Sequence, residues 1–430
     1  MKRLPRNPGV STFPITRMGV LVTLIHLLWA TITFADTAIT HARVFTGISP
    51  EPRELTTLLI SNGEIKAIGT DLDYGFSTDV VDARGKVVTA GLFDSYTQLG
   101  IQEIELEDTT VDSEVKEYAL GPSFDVRYGI NPDSVLLPVN LMAGVTHAVV
   151  APKSGNDIFA GWGAVINLAR RSELLVQTHT GLFATWGSAG GRFAGGSRSA
   201  AVIRLQQGFA AAKKINASYR PDPRFYSRED LYALKEFLRS KRPLVLKLDR
   251  ASDIRTALEI KRRFKIPMVI LGAVEGWKVA QELAGEDVPV IIDPLANLPT
   301  SFDALGARMD NGALMSEAGV RVAFTSEETQ NARWLRQIAG NAVANGMSWH
   351  RALQAITSIP AAIWGLDDRM GTLEAGKQAN LVIWSGDPLE LNTIAERVMV
   401  QGDWVPMQSR QTRLRERYKD LSGDLPFQYR

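Results

Sequence analysis

VVTAGLFDSYTQLG, Val87 to Gly100, is the stretch on which the reading of the whole chain turns. An apolar run ends at Gly91 and a carboxylate follows at Asp94. Tyr96 and Gln98 then alternate with Ser95 and Thr97, which points both of them to one side of a short strand. A strand end with that spacing offers two side chains to one ligand.

Upstream, TAITHARVFTG from Thr37 reads as a strand, and LLISNGEIKAIGT from Leu58 as a hairpin turning at Asn62-Gly63, a pair that tolerates the positive φ angles of a tight two-residue turn. Val80 to Val88 supplies a further strand with a glycine turn. Similar patterns return near the end, where GTLEAGKQANLVIWSGDP (Gly371–Pro388) and VMVQGDWV set glycine turns between short apolar runs. Between these segments, short apolar strands alternate with helical stretches: GVTHAVVAP, AGWGAVINL, LLVQTHTGLF, RPLVLKLDR, IPMVILGA, VPVIIDP and VRVAFTS. Such alternation argues for βα units and a parallel sheet. SREDLYALKEFLRS and ASDIRTALEIKRRF are helices by pattern, with Ser227 the expected N-cap of the first and Ser252 or Asp253 of the second. The glycine-rich GSAGGRFAGGSRSAA (Gly187–Ala201) lacks the Lys-Ser or Lys-Thr of a phosphate loop and reads as a mobile loop on the active face.

The 430 residues suffice for one large domain and a smaller module, and the 45% hydrophobic and 22% charged shares are those of a globular protein. Residues 1–35 read as an export leader: the charges are Lys2, Arg3, Arg6 and Arg17, and an apolar run ends in Thr33-Phe34-Ala35. Cleavage after Ala35 implies a periplasmic protein with no membrane attachment, an uncleaved anchor being the rival. A formal charge of +1 falls slightly below zero without the leader, which argues for neither nucleic acid nor a basic membrane surface. With no Cys, neither a disulfide nor a thiolate metal site is possible.

The chain resembles the amidohydrolase superfamily, in particular its imidazolonepropionase-like branch, whose first barrel strand reads roughly V-x-P-G-L-I-D-x-H-x-H. The resemblance implies an α/β fold, a (β/α)8 TIM barrel with a small β-sandwich built from the N- and C-terminal segments. The implied layout is a leader over 1–35, sandwich parts over 36–88 and 369–407, a barrel over 89–368 and a charged tail over 408–430, read as a surface helix or a flexible end. It also implies hydrolysis of carbon–nitrogen bonds other than peptide bonds, with zinc or another divalent metal activating water at the strand ends.

The metal-binding positions depart from the family at each strand. The first pair of histidines becomes Tyr96 and Gln98, after Asp94. The family's V-H-A-H-R-A-D-D-I lies over Leu246–Ile254, so its histidines become Lys247 and Asp249. E-H-G-T-E-A-Y-K-V-A lies over Leu271–Ala280, where Gly272 replaces the histidine, and G-T-D is Thr325-Ser326-Glu327. The flanking Arg250, Asp253, Ile254, Glu275, Lys278 and Val279 keep the pattern.

No metal or other cofactor is therefore expected. Lys247 among Asp94, Asp249 and Glu327 reads as a salt-bridged cluster instead of a site for Mg²⁺ or Ca²⁺. The expectation is a catalytically inactive homologue that binds a small molecule at the barrel mouth or assembles as a homo- or hetero-oligomer with an active relative. The alternative is a working hydrolase of a cyclic amide, amide or ester, with Glu327 as general base and Lys247, Tyr96 or Gln98 polarising the carbonyl. Of the histidines, His26, His41 and His350 read as structural or exposed, the last preceding a helix; His147 lies on a strand where the resemblance implies Thr or Ser, and His179 is a candidate ligand contact, while a Ser-His-Asp triad of His179 with Ser95 or Ser326 has no supporting spacing.

Overall fold

The computed structural model describes residues 37–117, 120–169, 171–222, 225–327 and 331–419. The leader, with the question of its cleavage, lies outside these residues, as does the end of the tail. Among the described residues no helix is long and apolar enough to cross a membrane.

β1 (Thr37–Phe45), β2 (Arg53–Ser61) and β3 (Glu64–Gly69) are successive antiparallel neighbours. The turn between β2 and β3 is Asn62-Gly63, with φ of 53° and 78°, both left-handed as a two-residue hairpin of this type requires. The other edge of β1 carries two short parallel partners in succession, β4 (Asp79–Asp82) and β5 (Val87–Ala90). Residues 80–88 thus contribute to two strands instead of one.

β5 and the next strand, β6 (Leu92–Thr97), lie in different sheets although only Gly91 separates them. The Gly91 amide donates to Asn380 O at 2.9 Å, and the next amide, Leu92, to Gly144 O at 2.9 Å. The chain changes sheets at this residue, and it does so against Thr146: a Cβ on Gly91 would lie 2.8 Å from Thr146 Cβ and closer still to its Oγ1 and Cγ2.

Beyond β6 come β7 (Val145–Val150), β8 (Phe159–Trp162), β9 (Ala164–Asn167), β10 (Leu175–Gln177) and β11 (Leu182–Thr185), then β12 (Leu244–Leu248), β13 (Met268–Gly272), β14 (Val290–Ile292) and β15 (Val322–Phe324). They form two sheets, in the orders β10-β9-β7-β6 and β15-β14-β13-β12-β11-β8. β6 and β7 are parallel, and so are β11 through β15. The uniform βα alternation breaks in one place: β9 runs antiparallel to β7 and β8 antiparallel to β11. The link from β7 to β8 explains this, because it is a short loop without a helix, and a parallel return needs a crossover of a dozen or more residues. At Gly163 this reversed run passes from one sheet to the other, its amide donating to Gly181 O at 3.1 Å while Thr180 N donates to Gly163 O at 2.9 Å. On the opposite side Thr325 Oγ1 donates to Tyr96 O at 2.7 Å and ties the end of β15 to β6.

Helices cover this β layer and bury Leu205, Phe209, Leu234, Phe237 and Leu258 against it. Helix Arg228–Arg239 opens with a capping box, Ser227 Oγ accepting from Asp230 N at 3.0 Å and Asp230 Oδ2 from Ser227 N at 3.2 Å. Helix Ala251–Phe264 begins earlier than its sequence suggests, after Arg250 and without a side-chain cap of its own. Neither Ser252 nor Asp253 is the cap; Glu275 Oε2 accepts the Ala251 amide at 3.1 Å from a different segment. Gly187–Ala201 is not the expected loop either, since Gly187–Phe193 is helical and a second helix spans Arg198–Lys214. Its glycines permit close packing: a Cβ on Gly190 would lie 2.8 Å from the Thr185 carbonyl carbon. His350 lies within helix Trp349–Gln354, not before it.

The two ends of the chain share one sheet. β16 (Leu381–Trp384) pairs antiparallel with β5 on one side and with β17 (Ala395–Val400) on the other, and β17 with β18 (Asp403–Trp404). The order is β18-β17-β16-β5-β1-β2-β3, with β4 on β1. The segment leading into β16 returns to the β3 edge, where Ile65 N donates to Lys377 O and Gly376 N to Ile65 O, both at 2.8 Å. The sheet thereby folds around Ile39, Leu58, Ile65, Leu381 and Met399. In the tail, helix Arg410–Tyr418 buries no residue.

Gly91→Ala should destabilise the protein by about 1–3 kcal/mol, the usual cost of overpacking a site that cannot yield, because Thr146 is itself fully buried. Chemical denaturation of the variant beside the parent checks this.

Candidate functional site

The C-terminal ends of β6, β12, β13 and β15 bring Tyr96, Lys247, Gly272 and Glu327 into one region. Lys247 Nζ donates to Glu327 Oε2 at 2.6 Å. Glu327 takes up this position with a left-handed backbone, φ 50°, which costs a residue bearing a Cβ roughly 1–2 kcal/mol. Its amide, donating to Thr325 Oγ1 at 3.1 Å, helps to hold the turn. Burial by itself would lower the Lys247 pKa, but the Glu327 carboxylate, followed by Tyr96 and Asp249, outweighs it and raises the group above its ordinary value. Lys247 is therefore an ammonium at neutral pH. It stands 5.8 Å from the centre of the Tyr96 ring, whose phenol is pushed up to about 12 by burial and is a neutral hydroxyl.

The ion pair stands between two cavities and lines both. One, of about 290 Å³, is walled by Tyr96, Lys153, Phe183, Arg192 and Phe193. The other, of about 370 Å³, is lined by Asp249, Gly272, Asp293 and Asn297. Burial pushes the Asp249 carboxyl up to about 6, against the attraction of Lys247, and Glu327 adds to the rise. Gly272 has φ +98°, and a Cβ there would overlap Asp249 Oδ1.

Asp94 and Gln98 lie out of solvent, not on a cavity wall. Asp94 Oδ1 accepts the Tyr96 amide at 3.1 Å and Oδ2 accepts from Ser326 Oγ at 3.4 Å, so this carboxyl fastens the ends of β6 and β15. Burial raises it to about 7, and these hydrogen bonds only partly oppose the rise. Gln98 Nε2 donates to Ala151 O at 3.4 Å, and its side chain also bonds the Tyr96 phenol.

His179 stands apart from both cavities, before the start of β11. Its Nε2 is 2.9 Å from Asp125 Oδ2 and its ring is 4.6 Å from that of Trp162, so it packs against the end of β8 and lines neither cavity. His147 is buried on β7 with Nδ1 2.9 Å from Thr146 Oγ1, and burial pushes it down to about 4. His41 is exposed beside Asp82. Neither Lys153 nor Arg192 figures among the residues singled out from sequence; each is a lone cation outside any motif, and only the fold brings both to one cavity.

The divalent metal that the resemblance implies does not fit this set of donors. An ammonium occupies one ligand position and is bonded to Glu327, Gly272 offers no donor, Asp94 is fastened to Tyr96 and Ser326, and the Gln98 amide is engaged elsewhere. Among the described residues no group of three or more His, Asp or Glu could hold a metal ion.

The Asp94 shift has a definite sign. A carboxyl raised from 3.8 to about 7 on folding leaves the folded state holding the proton between those values, so raising the pH through that window costs stability. Asp94→Asn, which cannot ionise, should gain on the parent protein by up to about 1.4 kcal/mol per pH unit between pH 4 and 7 and by nothing further above it. Denaturation curves across that range would reveal a flat difference if the carboxyl is ionised throughout.

Residues 253–407 match the family model described as "Amidohydrolase family". A crystal structure of an amidohydrolase from Thermotoga maritima MSB8 superposes with a TM-score of 0.79 and 26% identity, covering 86% of this chain and 100% of that one. An adenosine deaminase from Xanthomonas campestris with bound zinc shares the fold at a TM-score of 0.53 and 15% identity, over 89% of this chain and 97% of that one. Amidohydrolase tasK of Hapsidospora irregularis is 21% identical over 359 residues, 75% of this chain, which spans 37% of the length of that relative. Residues 253–407 thus carry the sequence pattern of the amidohydrolase family, within a fold like that of the Thermotoga maritima amidohydrolase.

Proposed function

We propose that this is a metal-free amidohydrolase homologue that uses the mouth of its β layer to bind a small molecule, by itself or in an assembly with an active relative. The carrying observation is the Lys247–Glu327 pair at 2.6 Å. A fixed ammonium meets the charge demand of the nearby carboxylates and repels a divalent cation at the same place. Without a metal, nothing at the site lowers the pKa of a water toward neutrality. The strand-end motifs around Tyr96, Lys247, Gly272 and Glu327 support the imidazolonepropionase-like branch, and the charged and apolar pattern of residues 1–35 supports export to the periplasm. The strand order supports an eight-position barrel: β6, β7, the reversed run 159–167, and β11 through β15, brought round by the Thr325–Tyr96 hydrogen bond.

Glu327 as the general base of a working hydrolase is the rival. Its Oε2 already accepts a hydrogen bond from the Lys247 ammonium at 2.6 Å, so a base there would have to give up that partner.

Elemental analysis of the purified protein after incubation with Zn²⁺ should find a metal-to-chain ratio near zero. A ratio of one or two would overturn the metal-free reading, and turnover of an amide or ester abolished by Glu327→Gln would replace it with the hydrolase.

A further inference from the structure

We propose that the cavity bordered by Tyr96, Phe183 and Lys247 takes a small organic monocarboxylate with an apolar body, whose carboxylate is held by Lys153 and Arg192. This rests on reading the mouth as a binding site, and it adds the chemical class of the ligand.

Charge balance is the first argument. Among the described residues Lys153, Arg192 and Lys247 are the cations lining this cavity and Glu327 is the carboxylate, already bonded to Lys247. Among the described residues the side chains of Lys153 and Arg192 have neither an ion-pair nor a hydrogen-bond partner. Two such cations lining one cavity raise the local concentration of anions. The carboxylates Asp249 and Asp293 line the other cavity, across the ion pair, so the mouth is polarised and an anion is directed to one side of it.

Size and lining are the second. At about 290 Å³ the cavity is at the small end of ligand pockets. Phe183, Phe193, Leu271 and the Tyr96 ring supply apolar wall, which a bare inorganic anion would leave unused.

The third is how Arg192 comes to be there. The helix Gly187–Phe193 carries Ala189, Arg192 and Phe193 to the cavity, and it packs against β11 only because Gly190 has no side chain to strike the Thr185 carbonyl. The glycine-rich stretch, which has no phosphate-loop frame, thus acquires a role in placing one cation and one aromatic wall.

Isothermal titration of the protein in low-salt buffer containing a chelator, with phenylacetate, phenylacetamide and inorganic phosphate, tests the proposal. Phenylacetate should bind and weaken as salt is added, and its uncharged amide should bind at least tenfold more weakly. Lys153→Gln and Arg192→Gln should each weaken phenylacetate roughly tenfold or more while the thermal midpoint stays unchanged, because neither side chain has a partner to lose. Equal binding of the amide, equal binding of phosphate, unaltered affinity in both variants, or no heat up to millimolar phenylacetate would each overturn it. A null titration of zinc-free protein sinks this proposal alone, whereas zinc uptake sinks the metal-free reading whether or not phenylacetate binds.

Discussion

Lys247 and Glu327 come from strands 80 positions apart, and their 2.6 Å hydrogen bond sets the electrostatics of everything around it. The ammonium stays charged because the carboxylate outweighs its loss of hydration; the carboxylate, in turn, is committed to it. A half-exposed pair of this kind contributes modestly to stability, since desolvation offsets much of the attraction. Its larger effect is to divide the mouth into a cationic side and an anionic side. Asp249 responds to the same field, its carboxyl raised by burial and by Glu327 while Lys247 pulls the other way. An internal cation thus organises the strand-end region.

A second set of carboxylates holds the frame of the site together. Glu275 accepts the Ala251 amide, the Gly306 amide at 2.9 Å and the Lys278 ammonium at 2.6 Å, so one side chain fixes a helix start and two loops. Burial acts against its ionised form, and these donors more than compensate, leaving the group below the usual carboxylate range. Asp303 does similar work at the glycine-rich helix: its Oδ2 accepts the Ser188 amide at 2.8 Å, and it pairs with Arg198, which also approaches Asp253. Glu275 and Asp253 are among the flanking residues on which the resemblance rests, and the hydrogen bonds of the first and the Arg198 contact of the second give a structural reason for them independent of any chemistry at the mouth.

Local signals were the legible ones. Asn62-Gly63 carries its turn in its own backbone preferences, and Ser227 with Asp230 caps a helix within four residues of chain. The grouping of Tyr96 with Lys247 and Glu327 was implied by the family resemblance of three separate strands, but which of the named residues reach solvent was not: Asp94 and Gln98 sit on the same strand end and are wholly enclosed. The reversed run 159–167 escaped because hydrophobic periodicity carries no direction. Helix Gly187–Phe193 escaped because its glycines argue against a helix by propensity, and packing against the Thr185 carbonyl overrides that preference. The start of the helix at Ala251 depends on Glu275, a partner remote in sequence that no local rule identifies.

The sheet shared by the two ends of the chain also bears on the order in which the protein can assemble. Thr89 on β5 lies opposite Val382 on β16, and between them the entire helix-covered β layer must be synthesised. Until then the β5 edge has no lasting neighbour on that side and the apolar face around Ile39 and Leu58 stays open. A nascent chain can therefore form its βα core first but cannot complete the small module until nearly all of it has been made. The module works as a closing clasp: its formation reports that synthesis has passed residue 400, and a prematurely ended chain would expose an unpaired strand edge of the kind that quality-control proteases and chaperones engage.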